Sequence, residues 1–111
     1  RYAFKNDWIK QKGDPGQMVL LDVFGNSMEP VIWDGDTVLV DQGQTEITPG
    51  RIYALGVDDN VMVKYIESKP GVMVLRSANS EWENIEIDTS CGLPESVRIL
   101  GRVIWWCREA R

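Results

Sequence analysis

The sequence predicts a mostly β fold of short, mainly antiparallel strands, preceded by one short helix at the N-terminus. Three observations favour this class: runs rich in Val, Ile, Leu and aromatic residues, turn-forming residues between those runs, and one amphipathic segment at the start. With 111 residues, of which 43% are hydrophobic and 26% charged, the chain has the composition of one compact globular domain with a modest core.

The helix is predicted over residues 2–12, and Gly13 is a suitable C-cap for it. Its apolar residues recur at helical spacing: Phe4, Trp8 and Ile9. The chain is therefore divided into a helical lead-in at residues 1–17 and a β domain at residues 18–111.

Six strands are predicted after the helix, each a run of apolar and β-branched residues. They cover residues 18–24, 37–41, 52–55, 61–66, 72–76 and 97–107. Turn signals separate them at residues 33–36, 48–50, 58–60 and 69–71. Short strands with tight turns between them favour an antiparallel sheet.

The charge of the chain argues against direct contact with nucleic acid. Twelve Lys and Arg residues stand against seventeen Asp and Glu, which gives a net charge of -5. The basic residues are scattered and form no stripe that could follow a phosphate backbone. We expect that this chain is not the part of a protein that binds nucleic acid.

The lack of histidine, the spacing of the cysteines and the lack of long apolar runs restrict the catalytic chemistry and the cellular location that we expect. The chain has no histidine, so a nucleophile would need a base other than imidazole. Cys91 and Cys107 lack the spacing of a zinc site, and we expect no metal, no cofactor, and two buried or unreactive thiols in a reducing cytoplasm. No apolar run approaches the roughly 20 residues that span a bilayer, and no signal-peptide pattern is present. We expect a cytoplasmic protein without membrane contact.

A serine follows the first predicted strand, within the Gly-Asn-Ser-Met-Glu-Pro sequence of residues 25–30. Glycine permits a sharp bend there, and Ser27 at the end of a strand can project its hydroxyl from the rim of the sheet. Backbone N–H groups in such a turn can converge on an oxyanion. The same composition also forms ordinary β-turns, so the motif alone leaves both interpretations open.

Lys64 lies within the predicted strand at residues 61–66. Alternation places Met62, Lys64 and Ile66 on one face, and the residues on the other face are also apolar. Burial would disfavour the ammonium form and lower the pKa of the lysine, which yields the neutral amine that a general base requires. The alternative is a lysine on an edge strand that reaches water.

The order and spacing of these motifs resemble the LexA-like peptidase family, which includes SOS-response repressors, phage repressors and mutagenesis proteins related to UmuD. The similarity lies in the following segments: Gly-x-Ser-Met-x-Pro at 25–30, Asp-Gly-Asp at 34–36, and residues 50–55, 63–64 and 100–105. The lead-in at residues 4–13 is similar to that of many prophage-encoded members. The resemblance therefore covers nearly the whole chain.

The resemblance implies a LexA-like fold, a homodimer and a reaction. Ser27 would be the nucleophile, Lys64 its general base, and the backbone N–H groups of Asn26 and Ser27 the oxyanion donors. The substrate would be the protein's own linker to an upstream helix-turn-helix domain that binds operator DNA. A recombinase filament on single-stranded DNA would act as co-protease by favouring the cleavable conformation.

Two departures from the family pattern leave this reaction open. Family members usually cut at Ala-Gly or Cys-Gly upstream of the serine, and residues 1–26 contain neither; the pair at residues 91–92 is interpreted as part of a loop. We expect that the cleavage site precedes Arg1 or that self-cleavage has been lost. No helix-turn-helix pattern occurs within the chain. The alternatives are a non-cleaving dimerisation and regulatory module and a signal-peptidase-type enzyme, which the lack of a membrane anchor disfavours.

The remaining candidates have structural interpretations as well. Strand alternation at Trp105 and Trp106 predicts one buried and one exposed ring, and the exposed ring is a candidate for a dimer interface. Met28 could line a substrate cleft or pack beneath its turn. Asp34 and Asp36 are interpreted as turn-forming residues.

Overall fold

The computed structural model describes residues 15–110, and within this range seven strands form one antiparallel sheet. The strands are β1 (Met18–Asp22), β2 (Thr37–Asp41), β3 (Ile52–Val57), β4 (Asn60–Lys69), β5 (Val72–Arg76), β6 (Ile85–Asp88) and β7 (Val97–Cys107). The predicted mostly β, antiparallel class is confirmed. The helix predicted over residues 2–12 lies outside the described residues, and the division of the chain at residue 17 stays a prediction.

The strands follow the order β1-β2-β7-β3-β4-β5-β6 across the sheet. β3 to β6 are consecutive neighbours, and β1 pairs with β2. The last strand, β7, lies between β2 and β3 and pairs with both. It therefore joins the two parts of the sheet. Within residues 15–110 no helix is long and apolar enough to cross a bilayer.

Strand β7 contains two bulges that bend the sheet. Its register against β2 shifts between Leu39 and Val40, and its register against β3 shifts between Ala54 and Leu55. Extra residues in one strand increase the local twist and curvature. Close to both shifts, a Cβ atom at Gly101 would collide with the backbone carbonyl of Asp41. Glycine at this position allows β2 and β7 to approach each other.

Two clusters of apolar residues pack on either side of the sheet. The first cluster contains Val23, Met28, Ile32, Val38, Val40, Ile52, Ala54 and Val103. The second contains Tyr53, Leu55, Ile66, Met73, Leu75 and Val97. Successive residues of β3 alternate between the two clusters, which explains why residues 52–55 are continuously apolar in sequence. The first cluster also includes residues from the segment after β1, and these fix that segment against the sheet.

The observed strands differ from the predicted ones mainly at the ends and in one omission. β1 ends at Asp22, two residues earlier than predicted, while β4 extends from Asn60 to Lys69. β6 was not predicted. It is an edge strand in which three of four residues are exposed, so it lacks the buried face that the pattern search detects.

Candidate active site

Ser27 lies in the turn that follows β1 and is half-buried. The turn begins at Gly25, whose φ is 86° and whose N–H donates a hydrogen bond of 2.7 Å to Asp34 Oδ1. The Met28 carbonyl accepts hydrogen bonds of 2.9 and 2.8 Å from the N–H groups three and four residues later. The Met28 side chain, 1% exposed, packs in the first cluster. The turn is thus tied both to the core below it and to the segment before β2.

Lys64 lies within β4, which is paired with β3 on one side and with β5 on the other. It stands opposite Tyr53 and is 5% exposed. Because β4 is not an edge strand, the interpretation of Lys64 as an edge-strand lysine is wrong. Removal from water disfavours the ammonium form, and burial therefore lowers the pKa of Lys64 below the ordinary 10.5.

The amine of Lys64 has a defined partner. Lys64 Nζ donates a hydrogen bond of 2.8 Å to the Oγ of Ser77, which is 8% exposed. The last paired residues of β4 and β5 are Tyr65 and Arg76, so the same register continued by one position places Ser77 opposite Lys64. The Trp82 ring centre lies 5.3 Å from the same Nζ. Lysine and serine therefore lie together because of the hairpin register.

The segment after β5, residues 77–82, also contacts the serine turn. The backbone N–H of Asn79 donates to the Ser27 carbonyl at 2.9 Å, and Asn79 Nδ2 donates to the Asn26 carbonyl at 3.0 Å. In addition, Trp82 Nε1 donates to Asn26 Oδ1 at 2.9 Å. One short segment thus contacts both the residue that carries the candidate nucleophile and the candidate base.

Ser27 and Lys64 line the same cavity, which has a volume of about 380 Å³. Its walls are mainly apolar and include Leu21, Val23, Met28, Val63 and Ile85. Large apolar side chains are also exposed around it: Phe24 is 83%, Val61 59% and Trp82 50% exposed. An apolar cleft with a few polar groups is typical of a ligand or substrate site, and exposed apolar patches often mark binding surfaces.

The structure brings the predicted site residues to one cavity without joining them directly. Among the contacts within residues 15–110, no hydrogen bond connects Ser27 Oγ with Lys64 Nζ. Over the same range, the backbone N–H groups of Asn26 and Ser27 donate to no other residue, which leaves them available to an oxyanion. Catalytic hydrogen bonds are often long or absent before substrate binds. The roles of Ser27, Lys64 and Asn26 stay predictions.

Ser77, Asn79 and Trp82 were not identified from the sequence. A signal for Ser77 was nevertheless present in the predicted turn at residues 69–71. The two-residue loop places Lys69 opposite Val72, and counting back along both strands puts residue 77 opposite Lys64. The hairpin register does not predict the positions of Asn79 or Trp82, because their contacts depend on the path of a loop.

The aspartates before β2 form turns, as expected, and Asp36 also forms an ion pair with Arg108. Asp34 accepts from the Gly25 N–H, and Asp36 Oδ2 accepts from the Trp33 N–H at 2.8 Å. Asp36 is only 1% exposed and forms an ion pair of 2.8 Å with Arg108 Nε. Sequence reasoning missed this pair because its members are far apart in the chain and Arg108 belongs to no motif.

The remaining expectations have mixed outcomes. Trp106 is 38% exposed, as predicted for one of the two rings, whereas Trp105 is half-buried rather than buried. Cys91 and Cys107 are free thiols; Cys91 is exposed in a surface turn and Cys107 is half-buried, so of the two alternatives, buried or unreactive, burial does not hold for Cys91. Met28 both packs in the core and lines the cavity. The described residues contain no group of three or more metal-ligating side chains.

The sequence is similar to a known peptidase family over most of its length. Residues 1–104 match the family described as Peptidase S24-like. The HTH-type transcriptional regulator PrtR of Pseudomonas aeruginosa is 39% identical over 95 residues, which cover 84% of this chain and 37% of PrtR. Repressor protein CI of Enterobacteria phage phi80 is 40% identical over 99 residues, which cover 88% of this chain and 40% of the CI protein. A LexA repressor of Aliivibrio fischeri is 37% identical over 83 residues, which cover 69% of this chain and 39% of that repressor. The chain thus spans about two-fifths of the length of these curated relatives.

Proposed function

Because the chain belongs to the Peptidase S24-like family, we propose that it is the C-terminal dimerisation and self-cleavage domain of a phage- or SOS-type transcriptional repressor. Ser27 is the nucleophile, and Lys64 is the general base. The observation that carries the proposal is the burial of a lysine, 5% exposed, in the cavity that Ser27 also lines. A buried amine with a lowered pKa can act as the base in place of an imidazole.

The proposed reaction begins with the neutral amine of Lys64. Nζ removes the proton from Ser27 Oγ as the oxygen attacks the carbonyl carbon of a peptide bond. The carbonyl oxygen becomes an oxyanion, and collapse of this intermediate breaks the C–N bond. Protonated Nζ returns the proton to the leaving nitrogen, and an acyl ester remains on Ser27. Water then attacks the ester, with Lys64 again as base, and releases the new carboxylate.

The serine turn supports the charge that develops on the carbonyl oxygen. The backbone N–H groups of Asn26 and Ser27 donate hydrogen bonds to the oxyanion in this proposal. Fixed backbone donors stabilise such a charge strongly because they need little reorganisation during the reaction. The hydrogen bonds from Asn79 and Trp82 to Asn26 hold this part of the turn.

The substrate is the linker between this domain and an upstream helix-turn-helix domain that binds operator DNA. One relative is named as an HTH-type regulator and the others as repressors, which favours this arrangement. Apolar side chains of the linker pack against the exposed apolar rim of the cavity. Cleavage then separates dimerisation from DNA binding, so that two half-sites are no longer held together. The reaction takes place in the cytoplasm, with a recombinase filament on single-stranded DNA as co-protease.

The decisive experiment is incubation of the full-length protein between pH 7 and pH 10, with fragments identified by mass spectrometry. We expect the rate of self-cleavage to rise with pH as Lys64 loses its proton, and to vanish in Ser27→Ala and Lys64→Ala. Lys69→Ala, which changes an exposed lysine of the same strand, serves as the matched control and should cut like the wild type. Absence of fragments at every pH, or unimpaired cutting by both site variants, would reject the protease proposal.

A second candidate function is favoured by the hydrogen bond that Lys64 donates to Ser77 rather than to Ser27. In this alternative the same fold acts only as a dimerisation and regulatory module, with a pair that does not cleave. The incubation experiment separates the two candidates, since the second predicts an intact protein throughout the pH range.

Dimerisation is proposed through the region of β7 that carries Trp106, which is 38% exposed. Exposed tryptophans are frequent energetic centres of interfaces. Sedimentation of the full-length protein should show a dimer at micromolar concentration, and Trp106→Glu should weaken association by about tenfold or more. Leu93→Glu, which changes a side chain that is 45% exposed elsewhere on the surface, should leave the dimer intact. A wild-type protein that is monomeric at high micromolar concentration would contradict this part of the proposal.

A further inference from the structure

The hydrogen bond between Lys64 and Ser77 fixes the end of a side chain that its strand alone cannot fix. Lysine carries its amine on a flexible four-carbon stem, so pairing of the β4 backbone leaves Nζ free to move within the cavity. Ser77 Oγ accepts from Nζ at 2.8 Å, and both residues are buried. This contact defines where the amine lies.

We propose that Ser77 is a positioning residue for the Lys64 base, an inference that rests on the proposed function. Ser77 is 8% exposed, so little of its surface is open to a peptide bound in the cavity. It acts through Lys64, by holding Nζ at one side of the cavity while Ser27 is held at another by the adjoining part of the same 77–82 segment.

The other groups near Lys64 do not take this role. The Tyr53 hydroxyl, opposite on β3, accepts from the Thr48 N–H at 2.7 Å and donates to the Glu46 carbonyl at 2.9 Å. Trp82 presents a ring face, which attracts a cation but does not fix its position as a hydrogen bond does.

The acidic group that lines the same cavity is Asp22, and its Oδ1 accepts from Thr37 Oγ1 at 2.9 Å. Within residues 15–110, Lys64 forms no ion pair with a carboxylate. Ser77 is therefore the described side chain that hydrogen-bonds the amine.

The hydroxyl also matters for the proton that Lys64 receives. After Nζ takes the proton from Ser27, the ammonium donates to Ser77 Oγ, and a charge-assisted hydrogen bond is stronger than one from a neutral amine. Ser77 thus stabilises the protonated lysine and makes Lys64 a stronger base than burial alone would allow. Loss of the hydroxyl should lower the pKa of Lys64 and weaken it as a base, in addition to releasing the position of Nζ.

The test measures self-cleavage of the full-length protein against pH in three variants of Ser77 and one control variant. For Ser77→Ala we expect a plateau rate about tenfold below the wild type, in line with the loss of one hydrogen bond to a charged group. The midpoint of the pH profile should move to lower pH. Ser77→Thr, which keeps a hydroxyl, should restore the midpoint, and Ser77→Cys should behave like Ser77→Ala because a thiol is a weak acceptor. Ser80→Ala, an exposed serine of the same segment, should change neither quantity.

A second readout makes failure of this inference distinct from failure of the proposed function. In full-length Ser27→Ala, where the proposed cleavage cannot occur, ¹³C-labelled lysine reports the titration of Lys64, assigned by comparison with Lys64→Ala. Addition of Ser77→Ala in this background should lower the pKa of Lys64, whether or not the wild type cleaves.

An unchanged or raised pKa in the labelled protein overturns the inference. An unchanged or faster plateau rate in Ser77→Ala, or failure of Ser77→Thr to restore the midpoint, overturns it as well. If Ser77→Ala does not fold, Ser77→Cys, which keeps nearly the same size, decides the question by the same two measurements.

Discussion

Ser27 and Lys64 line the same cavity but are held by different parts of the fold. Lys64 stands on β4, whose backbone is hydrogen-bonded to a neighbouring strand on each side. Ser27 stands on a turn without strand pairing, which is held by hydrogen bonds to Asp34 and Asn79 and by the packing of the adjacent Met28. Paired central strands open rarely, whereas loops open at much lower free energy. The comparison teaches that the sheet fixes the backbone of the proposed base, while a turn held by loop contacts and by the packing of Met28 carries the proposed nucleophile.

The largest effect on self-cleavage should come from Lys64→Met, which removes the buried charge on β4. Self-cleavage should be lost entirely because no base remains. The pH dependence of stability should also change. Since burial lowers the pKa of Lys64 in the folded protein, the unfolded chain binds more protons between that pKa and 10.5. The free energy of unfolding of the wild type should therefore rise with pH across this window.

Below the folded-state pKa of Lys64 its destabilising effect is complete, and above 10.5 it has disappeared. Denaturant titrations between pH 7 and pH 10 should show this rise in the wild type and in Ser27→Ala, but not in Lys64→Met. Ser27→Ala is the matched control because it removes the proposed nucleophile without changing the buried charge. Parallel pH dependence of the wild type and Lys64→Met would show that Lys64 is not destabilised by burial.

A smaller effect on self-cleavage should follow from Asn79→Ala, which weakens the loop contacts that hold the Ser27 turn. This change removes the hydrogen bond to the Asn26 carbonyl and the one accepted from the Glu81 N–H, but leaves the backbone contact with Ser27. We expect a loss of about 1 kcal/mol in stability and a reduction of about fivefold to tenfold in the rate of self-cleavage. The pH midpoint should stay where it is, because Asn79 forms no hydrogen bond with Lys64.

Rates across pH, together with urea titrations, measure both quantities for Asn79→Ala. Ser80→Ala again serves as the control within the segment. A shift of the midpoint in Asn79→Ala would mean that the two halves of the site are not held independently, and the contrast between strand and loop would then fail.

The same contrast explains how far the sequence predicts the structure. Strands with a buried face, such as Thr37–Asp41 and Val72–Arg76, were predicted with the observed bounds because their residues are fixed by burial. β6 was missed because an exposed edge strand carries little hydrophobic signal. The helix and the division at residue 17 stay predictions.

For the site, Ser27 and Lys64 could be named because a turn motif and a lysine among apolar neighbours are local features. The resemblance of the whole sequence to a known family then assigned both residues to one site. The contacts of Asn79 and Trp82, and the ion pair between Asp36 and Arg108, could not be foreseen. Each depends on how a loop or a strand end meets a distant part of the chain, which periodicity and propensity do not encode.

The hairpin of β4 and β5 has a consequence for the lengths that the chain can tolerate. Lys64 faces Ser77 only because Lys69 pairs with Val72 around a two-residue loop. One amino acid inserted within β5 would turn every following residue of that strand to the opposite face of the sheet. The 77–82 segment would then leave both members of the site, although no residue of the site itself had changed. The exposed tip of this hairpin, residues 68–71, can therefore change in composition, but gains and losses of single residues are restricted there.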